Sequence, residues 1–180
     1  MRNKLIPILL FLSSLYGQTQ TIYTGEQFSW TYGERKITTK KLNIPDNGTV
    51  TDINLKFSGS HDRNFNESYI GLVSPYGTHV TLTRHNNNSM NTNIVDRGIW
   101  DDEATKSMSE VSQPFNDSFR PDSLLSKFDG EEMEGDWELF IYQEESGTGT
   151  FTEWELQITH DNSTPSDPPA AQPGILYRKG

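Results

Sequence analysis

The chain has no cysteine among its 180 residues. That excludes a disulfide scaffold and any thiolate metal site, so the fold must rest on its core, helped at most by a hard cation such as calcium. It also has no apolar run long enough to cross a membrane: the longest, Leu5 to Leu15, is 11 residues, where a span needs roughly 20. Cationic residues are few, 15 Lys and Arg against 25 Asp and Glu, and the resulting charge of −10 excludes nucleic acid as a partner, because phosphates would be repelled. Helical periodicity is nearly missing. The one candidate is "DDEATKSMSE" (101–110), with acids in a first turn and Lys106 after them.

The short apolar run does fit another purpose. Arg2 and Lys4 precede it and Gly17 closes it before "QTQ", which predicts a secretory signal peptide over 1–17 and a secreted or extracytoplasmic product with no membrane attachment after cleavage. At the other end, "DNSTPSDPPAAQPGILYRKG" (161–180) concentrates Pro, Ser and Asp and reads as a disordered tail or linker. Residues 18–160 remain as one domain.

That domain is patterned in twos. In "TVTDINLKF" Ile53, Leu55 and Phe57 alternate with Asp52, Asn54 and Lys56, and in "THVTLTR" Val80 and Leu82 alternate with threonines. "DWELFIYQ" puts Trp137, Leu139 and Ile141 on one face, and "TEWELQITH" does so with Trp154, Leu156 and Ile158. The Gly-rich "EESGTGT" between them predicts that these two strands form an antiparallel hairpin. Many short strands, frequent turns and at most one short helix predict an all-β sandwich. Trp137 and Trp154 are assigned to the core, while Trp30 and Tyr32, in "FSWTYGE", suit an edge strand closing over it.

Two features invite a catalytic reading. "SPYGTHVTL" (74–82) contains Gly-Thr-His-Val, as in the histidine segment of subtilisin-like proteases, and "HNNNSMNTN" offers Ser89-Met90 as an echo of the nucleophile segment. Neither survives a physical test. Pro75 and Gly77 predict a turn, after which His79 and Val80 start a strand facing opposite ways, whereas a catalytic histidine of that type opens a helix. Ser89 lies in an asparagine run with no rigid base or oxyanion donors implied around it. Glu131-Glu132 and Glu144-Glu145 are adjacent pairs whose side chains diverge, so they read as solvated surface and not as a glycosidase couple. His61, His79, His85 and His160 have no metal-ligand spacing and read as surface or strand residues.

Taken together, "IPDNGTVTDINLKFSGSHD" (44–62), "IGLVSPYGTHVTL" (70–82), "WDDEA" (100–104), "PFNDSFRPDSLLSKFDGEEMEGDWELFIYQ" (114–143) and "GTFTEWELQIT" (149–159) resemble, in order and spacing, the P domain, also called P/Homo B. This module follows the catalytic domain in proprotein convertases and bacterial subtilisin-like serine proteases. The resemblance implies a jelly-roll-like antiparallel β-sandwich. It also implies an exported, non-catalytic module that stabilises and modulates such endopeptidases through protein contacts, here with no catalytic domain in the chain, so that a subtilisin-like protease would be met in trans. Some members bind calcium. The candidate ligands are Asp101 and Asp102 of "WDDEA", where acids equally suit a helix start, with Asp62 and Glu67 of "HDRNFNES". The family's usual Gly-Asp-Leu after that loop is here Asn66-Glu67-Ser68, a longer acid at an aspartate position.

An alternative of a different class is a glycan- or surface-binding sandwich of lectin type, in which exposed aromatics would flank a polar groove; a hydrolase ranks below it. In a eukaryotic secretory pathway, Asn47, Asn66, Asn87, Asn116 and Asn162 each begin a glycosylation sequon in an expected turn or loop.

Overall fold

The computed structural model describes residues 18–31, 36–84, 92–110, 115–143 and 147–161, without the side chains of Lys36 and Asn66. The proposed signal peptide, the tail, Tyr32, His85, Ser89, Asn87, Asn162 and Glu144-Glu145 lie outside these residues.

Ten strands make two sheets: β1 Thr19–Gly25, β2 Phe28–Thr31, β3 Lys36–Ile44, β4 Thr49–His61, β5 Ser68–Val73, β6 His79–Thr83, β7 Ile94–Trp100, β8 Ser118–Phe119, β9 Gly135–Gln143 and β10 Thr148–Asp161. One sheet runs β1-β10-β4-β7-β8, with β2 also paired to β10; the other runs β3-β9-β5-β6. All pairs are antiparallel except the short β7–β8 ladder. This is the all-β sandwich that the alternation predicts.

Alternation sets the core directly. Ile53, Leu55 and Phe57 of β4, Trp137, Leu139 and Ile141 of β9, and Trp154, Leu156 and Ile158 of β10 are all buried between the sheets. Four tryptophans are among the largest buried side chains: Trp137 donates to the Met133 carbonyl at 2.9 Å and Trp154 to that of Glu26 at 3.0 Å. Trp30 is only 2% exposed on β2, which pairs with β10 off the main run of the sheet, so this strand closes over the core as expected, with Trp30 packed at 5.1 Å against Phe151.

Two expectations fail. The hairpin predicted for β9 and β10 does not form: β9 pairs with β3 and β5, β10 with β1, β2 and β4, so these consecutive strands belong to opposite sheets. Their apolar faces meet across the core instead of lying side by side. A period of two says which face is buried, not which neighbour supplies the hydrogen bonds. The helix predicted over 101–110 is reduced to a 3-10 turn, Met108–Glu110. The segment before it is tied to another stretch of chain, with the Arg120 amide on the Lys106 carbonyl at 2.9 Å and the Arg120 guanidinium on that of Ala104 at 3.0 Å. A ten-residue stretch has too little intrinsic helicity to resist such contacts. Among the described residues the only helical segments are three 3-10 turns: Phe65–Glu67, Met108–Glu110 and Leu125–Phe128.

Candidate functional site

The turn between β5 and β6 forms as its residues require. The Gly77 amide donates to the Ser74 carbonyl at 2.9 Å, the Ser74 amide to the Thr78 carbonyl at 2.9 Å, and Gly77 takes φ 85, a region where glycine carries no side-chain penalty. His79 then begins β6 with its side chain outward while Val80 is buried. Its ring stacks on Phe140, centroids 4.7 Å apart and planes 29° apart. No described serine, aspartate or glutamate is hydrogen-bonded or ion-paired to it, and partial burial, then the positive Lys127, lower its pKa. Among the described residues, His79 thus has neither a nucleophile nor an orienting acid beside it.

The other described histidines, His61 and His160, are structural. The buried His61 bonds through Nε2 to the Gln143 side-chain oxygen at 3.0 Å and accepts the Arg63 amide on Nδ1 at 3.0 Å, which fixes its neutral tautomer as the Nε2–H form. His160 is buried and bonds to Thr21 at 3.1 Å. Of the Glu131-Glu132 pair, Glu132 accepts the Gly48 amide at 2.6 Å, and Glu131 departs from the solvated reading: it is buried and accepts the Thr78 hydroxyl. It is a strut under the "SPYGT" turn.

The carboxylates proposed for calcium separate into two groups. Asp101 and Asp102 follow the end of β7, whereas Asp62 and Glu67 flank its start, where the His61 amide bonds the Asn93 carbonyl and the Phe65 amide that of Thr92. At about 3.3 Å per residue the two groups are roughly 20 Å apart. Three of the four are otherwise engaged. Glu67 pairs with Arg63 at 3.4 Å, whereas Asp62 is exposed and lies 3.5 Å from the accepting Nδ1 of His61, which offers it no proton. Asp101 accepts the Glu103 amide at 2.7 Å, and Asp102 takes the amides of Leu125 and Ser126 at 2.9 and 2.8 Å, capping the 3-10 turn that follows. The four do not fit one calcium ion, and among the described residues no three His, Asp or Glu side chains are arranged to hold a metal.

What the structure adds beside "WDDEA" is Asp52 from the outer face of β4 and Asp129 after Leu125–Phe128. Desolvation, then the Asp101 charge, raises the Asp52 pKa; desolvation, then hydrogen bonding to Asp101, raises that of Glu103. Asp129 is pushed up to about 6 by desolvation first and by Asp52 and Asp102 next. Its sequence signal is weak, since only folding brings it near Asp52. A folded-state pKa above the unfolded value near 3.8 means that the fold binds the proton more tightly, so stability falls as pH rises from about 4 through 6 and stays lower above. Asp129→Asn should therefore raise the unfolding midpoint at pH 7.5, by about 1–3 °C because the residue is largely exposed and screened, and leave it unchanged near pH 4. Thermal melts at the two pH values check this; an equal shift at both would refute the repulsion.

The two outer faces differ in chemistry. On the six-stranded sheet, β4 and β10 present Asp52, Asn54, Lys56, Glu155, Gln157 and Thr159, with Lys56 paired to Glu155 at 3.1 Å. On the four-stranded sheet, β9 presents Asp136, Glu138, Phe140 and Tyr142, set against Tyr69, Gly71 and Val73 of β5. Phe140 lies over Gly71, where a Cβ would come within 2.3 Å of its ring, so the glycine makes room for it. Tyr69 is 5.8 Å from Phe140, with its hydroxyl on Thr81 at 2.6 Å, and Ile37 of β3 is 60% exposed opposite Tyr142. The alternation of "DWELFIYQ" sets Phe140 and Tyr142 opposite Trp137, Leu139 and Ile141; what they meet on the neighbouring strands is fixed by the fold. Of the sequon asparagines, Asn47 and Asn116 are exposed in loops, as expected of glycan acceptors.

The model of the proprotein convertase P-domain family matches residues 50–158, more than half of the chain. Among solved structures, the chain is similar to the serine protease of Aeromonas sobria in complex with a chaperone (15% identity, TM-score 0.45, covering 79% of this chain and 28% of that one). It is similar also to the serine protease of Aeromonas sobria in another crystal structure (16% identity, TM-score 0.43, covering 78% and 27%). The chain thus spans less than a third of the length of these solved chains. No curated protein sequence matches it significantly.

Proposed function

The chain belongs to the proprotein convertase P-domain family, and from that we propose that it is an exported, non-catalytic accessory module that stabilises and modulates a subtilisin-like serine protease through protein contacts. The observation that supports this most is the use to which its chemistry-bearing side chains are put. Asp102 caps a turn, Glu131 props the β5–β6 turn, His61 locks a loop, and His79 is stacked on an aromatic ring with no nucleophile or acid beside it among the described residues. Groups that each hold up a turn are not paired to move a proton or attack a carbonyl. What such a domain offers a partner is surface, and surface binding stabilises whichever state of the partner it fits.

The test uses residues 18–180 and a bacterial subtilisin-like protease whose own P domain has been removed. With the added domain at about 100 times the dissociation constant, the unfolding of that protease should be harder by about 2.7 kcal/mol, a shift of a few degrees in its midpoint. An unchanged midpoint across a saturating titration would contradict the reading.

A further inference from the structure

We infer that the β4–β5 loop carries a proton-operated latch, in which protonation of the His61 ring releases the Arg63 amide and takes the Asp62 carboxylate in its place. Two groups of opposite kind compete for Nδ1 of this buried ring. The Arg63 amide, a donor, occupies it at 3.0 Å, while the Asp62 carboxylate, an acceptor, stands half exposed 3.5 Å away. Each protonation state suits only one of them. The neutral ring, with its proton on Nε2, presents a lone pair at Nδ1 that holds the amide and has nothing to give a carboxylate. The charged ring takes a proton from solvent and carries N–H at both nitrogens, so the amide meets a second donor and the carboxylate gains a charge-assisted hydrogen bond. The latch is a property of this chain alone and stands whether or not the domain acts on a protease.

The surroundings hold the ring still while Nδ1 changes partner. Nε2–H donates to the Gln143 side-chain oxygen in either state, and the Ser68 hydroxyl fixes that oxygen at 3.1 Å. The backbone beside the ring is tied to other segments, with the His61 amide on the Asn93 carbonyl and the Asp62 amide on that of Thr148, both at 2.9 Å. Past the latch, the Phe65 amide bonds the Thr92 carbonyl at 2.8 Å and the Phe65 side chain is fully buried. The movement therefore falls on Arg63 and Asn64, and with them on the Arg63–Glu67 ion pair. Trp30, Phe65 and Gln143, which meet the ring, and Gly149 opposite it in β10 are all uncharged. Among the described residues the charged groups at the latch are thus Asp62, Arg63 and Glu67. His160 is buried too, but no carboxylate is hydrogen-bonded or ion-paired to it, and His79 lies on the surface, so the arrangement is peculiar to His61.

Amide hydrogen exchange followed by NMR on residues 18–180 tests the latch between pH 8 and 5, where histidine changes charge. The protection factor of the Arg63 amide, which removes the intrinsic pH dependence of exchange, should fall at least about tenfold as the His61 ring protonates, while the Phe65 and Val50 amides stay protected. Asp62→Asn, a change at a half-exposed side chain that leaves the domain folded, should keep the Arg63 amide bonded at pH 8 and delay its release to more acid pH, because the charged ring loses its carboxylate. Arg63 protection that does not change as the ring titrates would overturn the latch. So would a ring that stays neutral until the domain unfolds, or loss of protection at Phe65 and Val50 in step with Arg63, since the loop would then not move on its own. Release at the same pH in the wild type and Asp62→Asn would overturn the exchange of partners.

Discussion

Replacing Trp100 with alanine is expected to lower stability by about 3–5 kcal/mol, enough to consume much of the roughly 5–15 kcal/mol that holds a domain of this size. Trp100 ends β7, is fully buried, and stacks on Phe57 with centroids 4.2 Å apart and planes 10° apart. Phe57 in turn packs on Phe65, Phe115 and Phe151, so the ring is part of a continuous aromatic layer between the sheets and its loss leaves a cavity that several rigid neighbours must try to fill. With no disulfide, nothing covalent limits the damage. Trp100→Phe should be far milder, below about 1.5 kcal/mol. Most of the stacking area survives, and the indole N–H that is lost has no partner within the described structure. Urea unfolding of the two variants checks the contrast. Similar losses would mean that the indole itself, not the volume it fills, is what the fold needs.

Asp102→Ala carries the second large effect. Its carboxylate accepts the two N–H groups that open the Leu125–Phe128 turn, and removing it leaves the part-buried Leu125 N–H without that partner while the exposed Ser126 N–H turns to water. An unpaired buried donor costs about 1–3 kcal/mol. Relief of repulsion on Asp129 offsets part of this above pH 6, where Asp129 is ionised, so the net loss should be about 2 kcal/mol at pH 5 and smaller at pH 8. Asp102→Asn keeps an acceptor oxygen and sheds the charge, so it should lie between the two. Denaturant midpoints at both pH values read this out; a loss that grows with pH would show that the carboxylate serves neighbours other than those amides.

Strand faces were legible in the sequence because period two is a local property: Ile53, Leu55 and Phe57 had to be buried together wherever β4 paired. Sheet membership was not legible. The ladder partners of β9 and β10 depend on residues far away in sequence, in β1, β3 and β4, as far as Thr19 opposite His160, and the local Gly-rich turn pointed to a pairing that does not occur. The turn at Ser74 to Thr78 was legible because Pro75 and Gly77 restrict the backbone themselves, and with it the conclusion that His79 is a strand residue. The acidic patch was half visible. Asp101 and Asp102 are adjacent, whereas Asp52 and Asp129 join them only through the β4–β7 ladder and the capped turn. Asp62 and Glu67 looked like companions because they are acids in a loop, and one strand length separates them. The aromatic face shows the same limit: Tyr69, His79 and Phe140 each alternate outward, but their meeting over Gly71 requires three strands in register.

The measurement that bears most directly on the whole account is the half-life of peptide-hydrolysing activity at elevated temperature for the protease lacking its P domain, alone and with residues 18–180 added as wild type or as His79→Ala. The account predicts that the wild-type domain prolongs the activity and that neither form hydrolyses the peptide by itself. Hydrolysis by the isolated wild-type domain that His79→Ala abolishes would contradict it.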